Sequence, residues 1–298
     1  MRGFASILLM VLASAMGRVE AQAKLPAEDR LRVRVSGGYE RENFSWSIAG
    51  NGSGQDPNVL SELKWRSVGG VSAGIDLEAR IWRRWRGWLS GGRVWTRWGR
   101  LTDTDYGLDN RNDQLYRAQL PVTDGSGGHI AVGAGYDLLR TGSLRVTPFA
   151  GYGLEEQTFL INGGGYAQLD SRYASKWMGP LVKLAAEWAP AKRWRLNAEG
   201  GYSQVVYRAT ADWNLIPEFS HPVSFRHHAD GFGVRGALGV RYAVTRGIGV
   251  LAEGNCFDWE TGTGIDALYL QTGERQQTQL NGVRRDGWGA RIGVEWWF

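Results

Sequence analysis

Apolar and polar residues alternate along most of the chain with a period of two. In the segment Val71–Ile81, aliphatic residues and alanines occupy every second position, and Ser, Gly, Asp, Glu and Arg occupy the positions between them. This alternation is typical of a β-strand with one face in an apolar environment. The same pattern recurs at 130–138, 178–188, 232–242 and 290–298. We therefore predict an all-β chain.

About ten strands, separated by two classes of connection, can be assigned from this alternation. The strands are predicted near 31–48, 58–81, 85–101, 127–139, 144–164, 172–188, 194–212, 222–243, 248–262 and 283–298. Short turns near 82–85, 139–143, 189–193 and 244–247 alternate with long polar segments near 49–57, 102–126, 165–172, 213–222 and 260–283. Outer-membrane barrels of Gram-negative bacteria have short periplasmic turns and long external loops. We predict a transmembrane up-and-down antiparallel β-barrel with its functional face outside.

The N-terminus has the features of a secretory signal. Arg2 is followed by an apolar run over 7–13 and by small residues that end in Ala21-Gln22-Ala23. The run is too short for a transmembrane helix, which needs roughly 20 residues. We therefore predict a cleavable signal peptide over 1–23 and one barrel domain over 24–298.

The composition agrees with a membrane barrel. The chain has 15 Trp and 43 Gly, and Trp and Tyr form the interfacial girdles of such barrels. The mean hydropathy of −0.34 does not conflict, because a barrel needs apolar residues only at every second position. The 35 Lys and Arg residues nearly balance the 30 Asp and Glu residues, which argues against a nucleic-acid partner. A porin is disfavoured, because a barrel of about ten strands has little room for an aqueous channel.

Two acidic strand ends are candidates for chemistry at the external mouth. The third predicted strand ends in Asp-Thr-Asp at 103–105, and the seventh ends in Asp-Trp-Asn at 212–214. Both strands run outward, and residues two apart in an extended chain face the same side. Paired carboxylates can hold a water molecule, or one can keep the other protonated. The alternative is that these acidic residues simply solvate external loops.

The orientation of the seventh strand end depends on the phase of that strand. Asp212 and Asn214 point into the lumen only if the alternation switches near 205–206, where we predict a β-bulge. The residues that would then face lipid are Tyr207, Ala209, Ala211 and Trp213.

At these residues the chain resembles the omptin family of outer-membrane endopeptidases. The likeness rests on 61–65, 103–106, 151–152, 163–166, 252–254 and the C-terminal strand ending in Phe298. It implies that Asp103 and Asp105 form one half of a catalytic site and that Asp212 with position 214 forms the other. An Asp-activated water between the halves would attack the peptide carbonyl, with no metal and no cofactor.

The chain departs from the omptin pattern where that family has its catalytic His. Position 214 is Asn, which has no group that titrates near neutral pH and so cannot be the general base. His221, on the same external loop, could in principle move in, but we do not expect it to replace the missing base, because catalytic placement tolerates little slack. The resemblance assigns the substrate pocket to Thr210 and to Ser45 or the nearby Glu42, so the family's preference for basic residues is expected to be altered.

The resemblance also implies partners. Tyr152 and Lys176 fall on lipopolysaccharide-binding positions of the family. Lipopolysaccharide is therefore an expected partner and is expected to be required for activity. The other expected partners are outer-membrane lipids and a peptide or protein substrate, and the barrel is expected to be a monomer.

Two functions remain open. One is an omptin-like endopeptidase with impaired activity or altered specificity. The other is a non-catalytic barrel for adhesion, host-protein binding or envelope integrity, because a fold does not carry a function by itself.

Overall fold

The computed structural model of the protein describes residues 30–298, so the predicted signal peptide lies outside the described residues. These residues form one antiparallel sheet of 13 strands. Among them, no helix is long and apolar enough to cross a membrane. The strands are β1 (Leu31–Ile48), β2 (Ser61–Trp82), β3 (Trp85–Leu108), β4 (Asn112–Pro121), β5 (Gly125–Tyr136), β6 (Leu139–Arg140), β7 (Leu144–Asn162), β8 (Asp170–Ala191), β9 (Trp194–Asp212), β10 (Phe225–Ala243), β11 (Ile248–Thr261), β12 (Gly264–Tyr269) and β13 (Arg275–Trp297).

The sheet closes into a barrel because its first and last strands pair. β1 pairs with β13 in antiparallel register from Arg32 opposite Trp297 to Ile48 opposite Leu280. Around the wall the order is β1-β2-β3-β5-β7-β8-β9-β10-β11-β13, so each long strand lies beside the next long strand in sequence. This up-and-down order confirms the predicted all-β barrel, and the ten wall strands correspond to the ten predicted segments.

Two further strands extend the wall at the end that carries the long loops. β4 pairs with β3 in a hairpin over 100–121. Leu120 near its end packs in the hydrophobic core, and the exposed first part of β4 forms the projecting tip. β12 pairs with both β10 and β13. Both strands lie inside segments that we predicted as loops, 102–126 and 260–283, and the loop prediction is wrong there. β4 begins with a run of six exposed residues, so it shows no alternation of buried and exposed positions at its start.

Aromatic residues border an apolar belt on the outside of the barrel. Exposed aliphatic side chains such as Ile75, Val132 and Ile292 cover the belt. At the short-turn end it is bordered by exposed aromatic side chains that include Trp82, Trp85, Tyr136 and Trp194. At the long-loop end it is bordered by Trp98, Tyr202 and Trp288. Because Trp and Tyr prefer the membrane interface, these rings mark the limits of the membrane-spanning part.

Inside the barrel, the long-loop half is filled by packed aromatic side chains, which we call the aromatic plug. The rings of Trp65 and Phe159 stack with centroids 5.0 Å apart, and the ring centroids of Trp46 and Tyr173 are 5.8 Å apart. The other large aromatic members are Phe44, Trp177, Tyr207, Phe225, Phe257 and Trp259. The plug forms the hydrophobic core of a protein whose outer surface faces lipid.

The short-turn half of the lumen is filled by an ion-pair network. Glu187 is its centre and accepts hydrogen bonds from Arg32 at 2.8 Å, Arg145 at 3.2 Å and Arg241 at 3.1 Å. Glu295 accepts a further bond from Arg241 at 3.1 Å. Between the plug and this network lies a cavity of about 200 Å³ that is lined by both charged and apolar side chains. Packed side chains therefore occupy the lumen on both sides of the cavity.

Candidate functional site

Asp103 and Asp105 lie near the end of β3 and face the mouth of the barrel. Asp103 is opposite Leu63 of β2 and Ala118 of β4. Leu63 and Leu101 are both core residues that face the lumen. Because residues two apart share a face, 101, 103 and 105 all lie on the inward face of β3. The mouth orientation predicted for the Asp pair agrees with this register.

Both carboxyl groups of the pair are partly removed from water. Burial, with a further contribution from the charge of Asp105, raises the pKa of Asp103 to about 7, and a backbone hydrogen bond from Thr104 acts in the opposite direction. The Oδ1 atom of Asp103 is buried and accepts no hydrogen bond. Burial also raises the pKa of Asp105, against a hydrogen bond from the Ser61 side chain. Asp103 can therefore take up or release a proton near neutral pH, as a general acid or base must.

Asp212, the last residue of β9, is bound to His221. The distance from Nδ1 of His221 to Oδ1 of Asp212 is 2.6 Å, and the two side chains are 29 % and 26 % exposed. The loop 213–224 folds back to bring the imidazole to the strand end. A carboxylate that holds and orients an imidazole is the arrangement of a general base and its positioning group. The structure thus forms an Asp–His pair with His221 and not with position 214.

Asn214 joins two loops at the long-loop end of the barrel. Its Oδ1 accepts hydrogen bonds from the backbone N–H of Asp170 at 2.9 Å and from the Ser171 hydroxyl at 3.0 Å. Its Nδ2 donates to the carbonyl oxygen of Gln168 at 2.7 Å. These bonds attach the β7–β8 loop to the end of β9. Asn214 therefore has a structural task at the place where the resemblance puts a catalytic residue.

β9 does not switch phase, so the predicted bulge near 205–206 is wrong. Its pairing with β10 runs without a register shift through to Ala211 opposite Phe225. Tyr207, Ala209 and Ala211, predicted to face lipid, are at most 5 % exposed and belong to the plug or pack with it. The partly buried Trp213 also packs against the plug. The β9 residues that we predicted to face lipid therefore face the lumen.

The corrected phase puts the acidic strand ends on different faces. Asp103 and Asp105 are on the inward face of β3, whereas Asp212 alternates with Ala211 and lies on the outer face of β9. Strands β5, β7 and β8 separate the two strand ends along the wall. The lumen at this end is filled by the aromatic plug, in which the ring centroids of Trp46 and Phe225 are 5.7 Å apart. The two halves of the expected catalytic site do not face each other over an open cleft.

The predicted substrate-pocket residues are also dispersed. Glu42 is buried below the mouth and accepts a hydrogen bond from Nε of Arg285 at 2.6 Å. Ser45 lies on the opposite face of β1 from Glu42. Thr210 lies on the outer face of β9, opposite Arg226 of β10. The structure brings Asp103 together with Asp105, and Asp212 together with His221, but it does not bring these two pairs or the pocket residues into one site.

The two lipopolysaccharide positions lie on the outer wall. Tyr152 is exposed on β7. Lys176 on β8 is exposed and lies opposite Arg208 of β9, which in turn lies opposite His228 of β10. Lys176, Arg208 and His228 thus lie side by side on three neighbouring strands. Arg208 was not among the predicted lipid-binding residues, because the assumed phase switch in β9 would turn its side chain into the lumen.

Comparisons with known proteins agree with this architecture. The family model for Pom, the Protochlamydia outer membrane protein, matches residues 34–298. No curated protein matches the chain. The crystal structure of the outer membrane protease OmpT from Escherichia coli superposes with a TM-score of 0.75 and 15 % identity, over 94 % of this chain and 99 % of that chain. Neisserial surface protein A covers 90 % of this chain and 97 % of its own at 18 % identity, with a TM-score of 0.32. At these identities the OmpT likeness establishes the fold alone.

Proposed function

The chain belongs to the Protochlamydia outer membrane protein family, and we propose that it is a non-catalytic outer-membrane barrel that binds a protein partner, as in adhesion or host-protein binding. Its long-loop end faces outside the cell, and the β3–β4 hairpin is the binding element. Lipopolysaccharide is its lipid partner, held on the outer wall at Tyr152, Lys176 and Arg208. The barrel acts as a monomer.

The observation that carries this proposal is the exposed apolar tip of the hairpin. Leu108 and Leu115 are 60 % and 67 % exposed, and Tyr116 beside them is also exposed. The hairpin stands beyond Trp98, so water and not lipid surrounds these side chains. Apolar side chains that cluster on an aqueous surface are typical of a protein contact.

The backbone of the hairpin supports the same role. Within residues 30–298, β4 is hydrogen-bonded in the sheet to one strand only, β3. Its other edge carries N–H and C=O groups that can pair with an added strand. An edge strand with apolar side chains at its tip can therefore receive an extended segment of another protein.

The arrangement of the mouth speaks against efficient proteolysis. Hydrolysis by an Asp-activated water needs the base and the acid within hydrogen-bond reach of one water molecule. Here Asp103 and Asp212 lie on different faces of separate strands, and Asn214 is bound to the loop at Gln168. A site divided in this way loses the positioning on which catalysis depends.

A second candidate function, peptide hydrolysis, is favoured by one specific observation. The 2.6 Å contact between His221 and Asp212 supplies the imidazole that position 214 lacks. In this alternative His221 is the base, and Asp103 and Asp105 hold the attacking water after the loop 213–224 moves inward. Loss of one well-placed general base costs about 10²–10⁴ in rate, so slow cleavage would still be measurable.

One experiment separates the two functions. The protein is displayed on a non-adherent Gram-negative host, and the retention of these cells on immobilised target cells is counted. We expect retention with the parent and a severalfold loss with Leu108→Ser/Leu115→Ser. A matched control, Leu215→Ser/Ile265→Ser, removes two other exposed apolar side chains from the same end of the barrel.

The same displayed cells are incubated with a diverse peptide library. We expect no cleavage by the parent, by Asp103→Ala or by Asn214→His, because the last substitution adds an imidazole on a loop that does not face the Asp pair. Cleavage by the parent that disappears with both Asp103→Ala and His221→Ala would establish the hydrolase instead. Equal retention of parent and hairpin variant would remove the binding proposal.

A further inference from the structure

Four exposed arginines lie together on the outer wall at the long-loop end. They are Arg41 on β1, Arg66 on β2, and Arg97 and Arg100 on β3. We call this group the arginine patch. It lies on β1–β3, whereas Tyr152 and Lys176 lie on β7 and β8, on another part of the wall.

Two irregularities in the β2–β3 pairing create the patch. Arg66 pairs with Arg100 and Gly69 with Trp98, so β2 has one extra residue in this interval. Gly70 pairs with Thr96, so Arg97 is an extra residue on β3. Bulges re-aim side chains in this way. As a result Arg97 and its neighbour Trp98 are both exposed on the outside of the barrel.

The charges of the patch are not neutralised by the protein. Among the described residues, none of the four arginines has a carboxylate oxygen within 4.0 Å. Arg66 and Arg100 are directly opposite each other, an arrangement that is destabilising for like charges. Arg41 donates to the Ser67 hydroxyl at 2.6 Å, which orients its guanidinium without removing its charge.

Neighbouring basic residues on the same outer surface show the contrast. Nζ of Lys64 lies 2.5 Å from a carboxylate oxygen of Glu62, and Arg111 binds the same Glu62 at 2.8 Å. Arg284 on β13 binds Asp258 at 2.9 Å. These three cations near the patch therefore have carboxylate partners, whereas the patch itself has no counter-charge among the described residues.

Aromatic side chains border the patch on the side of the membrane. Tyr39 lies between Trp98 and Trp288, with ring centroids 5.5 Å and 5.4 Å from its own. Gly69 leaves room for this group, because a Cβ there would lie 2.8 Å from Nε1 of Trp98 and 2.9 Å from the Tyr39 hydroxyl. Arg100 is two residues beyond Trp98, or about 7 Å further along the tilted strand and about 5 Å further from the membrane centre.

We propose that the arginine patch binds the phosphate groups of a phosphorylated lipid of the outer leaflet, while Tyr39, Trp98 and Trp288 contact the less polar part of the same molecule. Guanidinium groups match phosphate oxygens in bidentate geometry, and an anion between Arg66 and Arg100 removes their mutual repulsion. The height of the patch just beyond the aromatic ring is the height of lipid headgroups. The site is independent of any partner at the β3–β4 hairpin.

The test measures lipid binding to the detergent-solubilised barrel by native mass spectrometry. The probes are lipopolysaccharide, the same lipid after phosphatase treatment, and inorganic phosphate as a competitor. The variant is Arg66→Gln/Arg100→Gln. The control is Arg83→Gln/Arg193→Gln, which removes two arginines at the short-turn end. Far-UV circular dichroism and heat-modifiable migration on gels verify that each barrel is folded.

We expect Arg66→Gln/Arg100→Gln to weaken binding of the intact lipid at one site by about 30-fold, because each arginine near an anionic surface contributes roughly a fivefold change in affinity. The control should bind like the parent, and added salt should weaken the parent more than the variant. Equal affinity of parent and variant, or equal affinity for intact and dephosphorylated lipid, overturns the proposal. Displacement by millimolar inorganic phosphate also overturns it, because the site would then recognise the free anion and not the lipid.

Discussion

Replacing Asp103 by Asn should change how the stability of the barrel depends on pH. Burial raises the pKa of Asp103 from its ordinary value of 3.8 to about 7. Between these two values the folded chain holds a proton on Asp103 that the unfolded chain has released. The free energy of unfolding of the parent therefore falls as the pH rises through this window, and this contribution is constant above it.

The size of the effect follows from the two pKa values. A difference of this size corresponds to about 4 kcal/mol at most, because one pH unit corresponds to about 1.4 kcal/mol. Asn cannot ionise, so the Asp103→Asn variant lacks this part of the decline. The stability of the variant relative to the parent should thus increase between pH 4 and pH 8.

The assay is reversible urea unfolding in lipid or detergent, followed by tryptophan fluorescence at intervals between pH 4 and pH 8. The control is Asp113→Asn, which removes an exposed carboxylate from the same hairpin. It should follow the pH profile of the parent. If Asp103→Asn and the parent lose stability in parallel across this range, the Asp103 carboxyl is not desolvated as the structure indicates, and the reasoning fails.

Three further substitutions test other parts of the molecule. Asn214→Ala removes three hydrogen bonds and should lower the free energy of unfolding by about 1–3 kcal/mol. It should also speed proteolysis of the β7–β8 loop around Gln168. Trp65→Ala empties a fully buried site in the plug and should lower the free energy of unfolding by about 3–5 kcal/mol, measured by urea titration. Glu187→Gln should lower the free energy of unfolding by about 3–5 kcal/mol in the same titration, because three arginines lose their shared buried carboxylate.

The barrel itself could be predicted from the sequence because lipid enforces a strict rule. Outward residues must be apolar and successive residues must point to opposite faces, so strands such as β2 and β11 were found within a few residues of their ends. The rule does not hold beyond the membrane. There β4 and β12 do not face lipid, so their outward residues need not be apolar and their sequences resemble loops.

The candidate site was predicted less well for a related reason. The phase of β9 was assigned so that Asp212 and Asn214 would face the lumen, and this turned Tyr207 toward lipid. In this barrel the upper lumen is itself apolar, so aromatic residues occupy both faces of the wall. His221 was recognised as a possible replacement, but its contact with Asp212 depends on the fold of a loop, which alternation does not describe.

The ion-pair network also constrains the path by which the barrel assembles. Arg32 and Glu187 are 155 positions apart, and Arg34 and Glu295 are 261 positions apart. Such contacts require closure of long stretches of chain before they form, so they contribute nothing to an isolated hairpin or an open sheet. A partly inserted intermediate would hold these charges without their partners in an environment of low dielectric constant. Insertion and closure are therefore expected to occur as one cooperative event, with few populated intermediates.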